Sequence, residues 1–201
     1  MSQSTAGLRQ ERREVKYNFD EVIDRSKNRS AKYDEREKKF GRKDVIPLWI
    51  ADMDFKTAQP IIDAVKAKAE EGIWGYTSRP ASYYEAVCGW QKRRNGWEID
   101  KSKISFSLGV VPTLSSIVEV FTEPGDKVLI QTPVYSEFYD VTEGWGREVV
   151  ESPLVETDGN WSVDFEDFEE KAKEAKVFFL CSPHNPLGIV WTREELERMC
   201  H

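Results

Sequence analysis

The chain has 201 residues, of which 39% are hydrophobic and 12% aromatic, and its formal net charge is −7. That composition can supply a sizeable core, and the mixed, net acidic charge excludes a general binder of nucleic acids or acidic membranes. No window approaches the roughly 20 apolar residues that a membrane helix needs. We therefore expect a soluble, cytoplasmic protein.

The N-terminal part of the chain is polar. Residues 1–15 lack the apolar core of a signal peptide and predict a disordered arm. The basic tract at residues 25–43 is interrupted by acidic side chains, which favours a solvated helix or arm over a nucleic-acid surface. The apolar run VIPLWIA at residues 45–51 predicts a strand.

Two helices follow, at residues 57–72 and 80–96. Each has a proline at its start and a glycine at its end, which is the usual asymmetry of helix termini. Ile61 and Val65 belong to an apolar face of the first helix.

From residue 103 onward, strand-like and helix-like patterns alternate. Strands are predicted at residues 103–109, 127–131, 147–152 and 176–181, and helices at residues 111–126, 135–146, 163–175 and 192–200. Such alternation with near-continuous apolar strands predicts an α/β fold, in which a mostly parallel sheet is covered by helices on both faces in three α/β/α layers. The last predicted helix begins with a capping box at Thr192 and Glu195, and the chain ends before that helix would be expected to end. We therefore expect the N-terminal portion of a longer protein.

Cysteine and histidine usage limits the chemistry. Cys88, Cys181 and Cys200 are widely spaced without a CxxC pair, which predicts buried thiols in a reducing compartment rather than disulfides. The two histidines are His184 and the terminal His201, so a His-rich metal site is excluded.

Three strand ends carry candidate ligand contacts, since open α/β sheets bind ligands at the carboxyl ends of their strands. The turn around Gly109 leads into a helix N-terminus that suits a phosphate, although a plain strand-to-helix turn explains it as well. Tyr135 could stack on a flat ligand or pack a helix on the sheet. Asn185 could be a polar contact or a turn residue between prolines, and the neighbouring His184 could titrate, be structural or be solvated.

These stretches resemble the fold type I pyridoxal 5′-phosphate (PLP) enzymes, and within them the cystathionine β-lyase and C–S lyase branch of the class I/II aminotransferases. The likeness extends from about Lys16 to His201. The motifs that carry it are YNFDEVIDR, VIPLWIADMDFKT, GIWGYTSRP, GVVPTLS, EPGDKVLIQTPVYSEFY and SPHNPLGIVWTREEL.

The resemblance implies roles for individual residues. Backbone donors to the PLP phosphate would come from Gly109, Val110 and Val111. Tyr135 would stack on the pyridine ring, and Asn185 would donate to its O3′ oxygen. Three further residues have implied roles: Tyr76 at the phosphate of the neighbouring subunit's cofactor in a homodimer, and Ala51 and Asp52 in the pocket for the substrate carboxylate. Some relatives have a second tyrosine where this chain has Ser136, which leaves substrate preference open.

The resemblance also implies domain limits and a missing catalytic residue. Residues 16–56 would contribute to a small domain and residues 57–201 would form part of a PLP-binding large domain. The lysine that forms the Schiff base would lie beyond His201, because the lysines of this chain occupy charged, solvated contexts.

The implied activity is β-elimination on cystathionine or another cysteine S-conjugate, giving thiol, pyruvate and ammonia. Two alternatives stay open beside it, an aminotransferase and a catalytically inactive truncated chain. A phosphate- or nucleotide-binding α/β module is a third.

Overall fold

The computed structural model describes residues 17–26 and 28–200. The chain divides into two compact units, Met1–Ser78 and Arg79–His201. The arm predicted at residues 1–15 lies outside the described residues, and the domain limits at residues 16–56 and 57–201 stay predictions.

The described residues of the first unit form three helices. They are α1 (Ala31–Asp34), α2 (Arg36–Phe40) and α3 (Gln59–Glu70). The prediction of α3 is confirmed, with Pro60 in its first turn. Its apolar face, however, is not buried: Ile61 and Val65 are 57% and 65% exposed.

The strand predicted at residues 45–51 is wrong. This segment pairs with no other strand in the described part of the chain, and Ile46 and Leu48 are exposed. A strand needs a partner for its backbone groups. Here side chains make the contacts instead, because Trp49 Nε1 donates to the Lys32 carbonyl at 3.1 Å and Arg36 donates to the Val45 carbonyl at 3.2 Å.

The second unit holds a four-stranded sheet and five helices. Its elements are α4 (Ala81–Asn95), α5 (Val110–Phe121), β1 (Lys127–Thr132), α6 (Glu137–Glu143), β2 (Glu148–Thr157), β3 (Asn160–Val163), α7 (Phe165–Ala172), β4 (Val177–Phe179) and α8 (Arg193–Cys200). A short 3₁₀ turn, Lys101–Lys103, follows α4. The predicted elements of this unit are confirmed except for the strand at residues 103–109, and β3 is an additional strand that was not predicted.

The sheet has the order β3-β2-β1-β4. The central strand β1 pairs in parallel with β2 and with β4, so that Leu129 lies beside both Val150 and Phe178. The exception is β3, which pairs antiparallel with β2 through a two-residue turn. Both turn residues, Asp158 and Gly159, have positive φ angles of 52° and 80°, as a tight hairpin requires.

Apolar cores lie on both faces of β1. On one face Val128 and Ile130 pack with Val118 of α5 and Phe138 of α6. On the other face Leu129 packs with a second group of buried residues, namely Leu154, Val163, Phe168, Trp191 and Met199. The alternation follows from the two-residue repeat of a strand. The predicted three-layer arrangement of helix, sheet and helix is confirmed.

The strand predicted at residues 103–109 is also wrong. No described strand pairs with this segment, and Phe106 and Leu108 are 52% and 89% exposed. The Phe106 ring instead lies under the guanidinium of Arg79, with 3.8 Å between the Arg79 Cζ and the ring centroid.

Helix caps account for two of the later elements. Asp164 caps α7 by accepting hydrogen bonds from the backbone of Glu166 and Asp167. Thr192 and Glu195 exchange side-chain and backbone hydrogen bonds at the start of α8, which confirms the predicted capping box.

The cysteine prediction needs one correction. Cys88, Cys181 and Cys200 are free thiols, and the first two are half-buried. Cys200, at the last turn of α8, is exposed rather than buried.

Candidate functional site

The carboxyl ends of three parallel strands define one edge of the sheet. Because β1 is parallel to both β2 and β4, the segments that follow β1 and β4 leave the sheet at this same edge. Tyr135 lies in the segment after β1, and Asn185 lies in the loop of residues 180–192 after β4. The structure thus brings these two predicted residues to the edge where open α/β sheets bind ligands.

The N-terminus of α5 points toward the same edge. Its C-terminus joins the start of β1 through a short connection, so the helix runs antiparallel to the strand. Val111, in the first turn of α5, and Tyr135 both pack against the apolar cluster built on Val128 and Ile130. Helix and strand are of similar length, which places the start of α5 near the carboxyl end of β1.

The first turn of α5 offers backbone donors. Gly109 is the N-cap residue and no side chain in the described chain caps the helix. The hydroxyls of Ser107 and Thr113 both donate to the Gly109 carbonyl, at 3.1 and 2.9 Å. Because Pro112 has no N–H, the donors of this turn are the amides of Val110 and Val111, backed by the dipole of a 12-residue helix.

Gly109 itself is not required by backbone strain. Its φ of 162° is extended backbone that any residue adopts, and a Cβ there would meet Pro112 Cδ at an ordinary 3.7 Å. The site at Gly109 therefore depends on the donors that follow it rather than on the glycine.

Tyr135 is half-buried. Its ring meets Phe138 edge-on, with 6.2 Å between the ring centroids and 80° between their planes. This contact holds the ring at the sheet edge, although it also means that the ring helps to pack α6.

Asn185 is exposed, and its loop is strongly cross-linked. The Asn185 amide N–H donates to Cys181 Sγ at 3.1 Å, and Trp191 Nε1 donates to the Cys181 carbonyl at 3.0 Å. The Asn185 side chain makes no hydrogen bond within the described residues, so its amide can contact a ligand.

Two buried polar groups lie near this loop, of which Gln131 was missed from the sequence and His184 was named without a single role. Gln131 and His184 are each only 2% exposed, and the polar side-chain atoms of both lack hydrogen-bond partners among the described residues. The sequence left His184 open between titrating, structural and solvated roles, and the solvated alternative is wrong. The sequence signal that could have identified His184 is its position, because a polar residue between two turn prolines is a candidate for a specific role, whereas an apolar residue there is not.

A second polar pair links α6 to the sheet. Tyr139 donates to Glu151 at 2.8 Å, and Thr132 makes a longer 3.4 Å contact with the same carboxylate. Burial, followed by the Glu151 hydrogen bond, raises the pKa of Tyr139 to about 12. The phenol is therefore protonated and acts as a donor at neutral pH.

The remaining predicted residues lie in the first unit, and all three are exposed. Tyr76 makes no hydrogen bond in the described residues and its side chain is open to solvent. Ala51 and Asp52 belong to a segment that is fixed by cations. Arg25 pairs with Asp52 at 2.5 Å and with Asp54 at 2.6 Å.

Lys32 completes this cluster and corrects an expectation. The sequence places the lysines in solvated contexts, but Lys32 is only 6% exposed. Its Nζ donates to the Asp52 carbonyl at 2.8 Å and to Asp54 at 3.0 Å. Hydrogen bonds from Arg25 and then Lys32 lower the pKa of Asp54 to about 2. Lys32 is thus held in an ion pair, which is unlike the unpaired amine that Schiff-base formation needs.

Residues 17–26 and 28–200 contain no cluster of three His, Cys, Asp or Glu side chains arranged to hold a metal ion. None of the helices described is both long and apolar enough to cross a membrane.

The fold defines the second unit as an open-sheet α/β domain whose candidate ligand contacts lie at the carboxyl ends of its strands. The family model for aminotransferases of class I and II matches residues 43–201. The chain belongs to this family, which confirms the resemblance inferred from its motifs.

The proteins that the chain resembles include a cystathionine beta-lyase and C–S lyases. It is 45% identical over 184 residues to cystathionine beta-lyase PatB of Bacillus subtilis, covering 90% of this chain and 48% of that protein. The structure of cystalysin from Treponema denticola, which contains a pyridoxal 5′-phosphate cofactor, is similar with a TM-score of 0.84 and 36% identity, over 92% of this chain and 48% of that one.

The PLP-bound C–S lyase from Staphylococcus hominis is similar with a TM-score of 0.84 and 33% identity, over 93% of this chain and 48% of that one. The chain therefore spans about half the length of the relatives it matches.

Proposed function

We propose that this chain supplies the N-terminal half of a PLP-dependent C–S lyase, which performs β-elimination on cystathionine or a similar cysteine S-conjugate. The observation that carries the proposal is the first turn of α5, where the amides of Val110 and Val111 lack a side-chain cap at the sheet edge shared with Tyr135 and Asn185. The 45% identity to a cystathionine beta-lyase supports the reaction class.

The residues present fit the cofactor chemically. Two backbone donors and a helix dipole suit its dianionic phosphate, since helix N-termini bind such groups without a charged side chain. The half-buried Tyr135 ring can stack on the flat pyridine, and the Asn185 amide can donate to the phenolate oxygen. When bound, PLP supplies an electron sink for the negative charge that develops on the substrate α-carbon.

The proposed substrate contacts follow from the Arg25 cluster. A free carboxylate on Asp52 would repel a substrate carboxylate, but Arg25 neutralises Asp52 and Lys32 binds its carbonyl. This arrangement favours the backbone of Ala51 and Asp52, rather than the Asp52 side chain, as the part that lines the substrate pocket. The exposed Tyr76 would reach the phosphate of a partner subunit in a homodimer.

The Schiff-base lysine would come from residues that follow His201 in a longer protein, because the buried Lys32 already has two acceptors. Alone, the 201 residues would then bind PLP without catalysing the reaction. We also place the protein in the cytoplasm, a location consistent with three free thiols.

The substitution Val110→Pro tests the phosphate contact. Proline is well tolerated at the first position of a helix, and the extended Gly109 before it is compatible with proline, so the helix stays intact while one donor is lost. We expect PLP affinity, measured by fluorescence quenching, to fall about 10- to 100-fold, because a hydrogen bond to a charged group contributes about 1.5–3 kcal/mol.

The matched control is Val120→Ala, on the exposed far end of the same helix, which should bind PLP as the unchanged chain does. Unaltered PLP affinity in Val110→Pro would reject the phosphate site. For the reaction, a protein that contains this chain should release thiol and pyruvate in equal amounts from cystathionine, and amino-group exchange without thiol release would instead identify an aminotransferase.

A further inference from the structure

His184 is the most deeply buried residue of the loop that carries Asn185. It is 2% exposed, whereas Pro183, Asn185 and Pro186 around it are exposed. Its backbone N–H donates to the Ile189 carbonyl at 2.7 Å, and its carbonyl accepts from the Gly188 N–H at 2.7 Å. The two arms of the loop are therefore joined at His184, one residue before Asn185.

The imidazole is held by an aromatic contact. It meets Trp191 edge-on, with 5.8 Å between ring centroids and 90° between planes. Trp191 is 3% exposed and is itself bonded to the Cys181 carbonyl. The chain of contacts from His184 through Trp191 to Cys181 thus connects the far arm of the loop to the end of β4.

The surroundings of the imidazole disfavour a positive charge. Burial lowers the pKa of His184, and the carbonyl of Gln131 opposes this only partly. The titratable groups on the elements around His184 are held in other contacts. Asp167 is paired with a lysine of its own helix, Glu195 caps α8, and the Cys181 sulfur accepts from the loop backbone. No acid in the described residues is placed to neutralise a protonated His184.

We propose that His184 is a positioning residue, which holds the Asn185 amide at the ligand edge by seating an uncharged imidazole against Trp191. Protonation, or loss of the ring, unseats the loop and moves Asn185. The part of this inference that concerns PLP rests on the proposed function, whereas the part that concerns the loop does not.

The variants separate the ring from the charge. His184→Phe keeps an aromatic ring against Trp191 but cannot be protonated, and His184→Ala loses both properties. His201→Gln removes the other imidazole of the sequence and serves as the control. Each is studied at pH 7.5 and pH 5.5, which lie on either side of the ordinary histidine pKa of about 6.5.

The first measurement does not involve PLP. Amide hydrogen exchange of residues 182–190, corrected for intrinsic rates, should accelerate by up to about tenfold at pH 5.5 in the unchanged chain and in His201→Gln, because the imidazole of the opened loop has the ordinary pKa of about 6.5. His184→Phe should stay slow at both pH values, and His184→Ala should be fast at both. Equal protection in all four proteins would overturn the proposal.

The second measurement is a double-mutant cycle in PLP affinity. We expect His184→Ala to weaken binding about tenfold in the unchanged background, and to have no further effect once Asn185→Ala is present. Additive losses would mean that His184 acts on stability alone. Because the PLP phosphate also titrates near pH 6, the pH dependence is judged by comparison with Asn185→Ala, which experiences the same change in the ligand.

The two measurements fail separately. If no protein binds PLP while the loop still responds to pH and to His184, the proposed function is wrong and the positioning role stands. If PLP binds and responds to Val110→Pro, but the loop ignores His184, the cofactor site stands and the positioning role is wrong.

Discussion

Arg147 Nε donates a hydrogen bond of 2.7 Å to the hydroxyl of Thr122, and the same guanidinium donates to the Thr122 carbonyl. Thr122 follows the last residue of α5, and Arg147 is 8% exposed. Arg147 makes no ion pair within the described residues, so its charge is balanced by carbonyl groups at a helix C-terminus, where a cation is favourable. The helix whose N-terminus is proposed to bind phosphate is therefore anchored at its other end by a buried cation.

Replacing this cation should destabilise the fold. In Arg147→Met the carbonyls of Thr122 and Trp145 lose their donors, and we expect the free energy of unfolding to fall by about 1–3 kcal/mol. Urea unfolding followed by circular dichroism gives the value. Arg193→Met is the control, because that side chain is 83% exposed and its loss should change stability by less than about 0.5 kcal/mol. Equal effects of the two substitutions would contradict the anchoring role.

Two valines on α5 provide a matched pair for the core. Val118 is fully buried between the helix and the sheet, whereas Val120 is 71% exposed. Val118→Ala should cost about 1.5–3 kcal/mol, from lost burial and the remaining cavity, while Val120→Ala should stay within about 0.5 kcal/mol. Chemical unfolding of both variants makes the comparison, and similar losses would show that α5 does not pack on the sheet as described.

The phenol of Tyr139 should ionise late, since its pKa is about 12 against an ordinary 10.0. The folded state keeps this proton where the unfolded state releases it. Its contribution to stability is therefore complete below pH 10 and is lost as the pH rises through 12. An ultraviolet phenolate titration should show a late step that disappears in Tyr139→Phe and persists in Tyr83→Phe. A late step that survives in Tyr139→Phe would assign the raised pKa elsewhere.

Acid should weaken the first unit through Asp54. Its pKa is lowered from 3.8 to about 2, so the folded state binds fewer protons than the unfolded state between these values. The stabilisation is present above pH 3.8 and is lost as the pH falls toward 2. Asp54→Asn should be less stable at neutral pH and should lose this acid dependence, as thermal melts across the pH range would show.

Asp44→Asn is the matched control for Asp54. Asp44 also pairs with an arginine, but both side chains of that pair are 69% exposed and solvent screens their attraction. Its removal should leave the melts nearly unchanged. An equal effect of the two substitutions would mean that the cluster around Lys32 contributes no more than an isolated surface pair.

The elements that were predicted correctly are those whose signals lie within a short stretch of the sequence. The capping box of Thr192 and Glu195 lies within four consecutive residues, and the apolar runs of β1 and β4 are typical of buried parallel strands. The hairpin of β2 and β3 was also predictable, because Asp158-Gly159 is a strong turn signal.

Features that depend on distant residues could not be predicted in this way. The runs at residues 45–51 and 103–109 have strand composition but no pairing partner in the described chain, and composition cannot supply one. The burial of Lys32 depends on Asp52 and Asp54, about twenty residues further along. For the candidate site, motif resemblance singled out Asn185 but not His184, because the burial of His184 arises from the way the loop folds onto Trp191.

The two edge strands of the sheet, β3 and β4, differ in their tendency to pair with another chain. In the antiparallel strand β3, the polar residues Asn160 and Ser162 interrupt the apolar ones, so this strand resists the addition of a further strand. At the opposite end, β4 exposes the edge of a short, wholly apolar strand, Val177–Phe179, beside the half-exposed Leu180. Concentration-dependent aggregation of these 201 residues should therefore begin at β4, and a charged residue introduced at position 180 should suppress it.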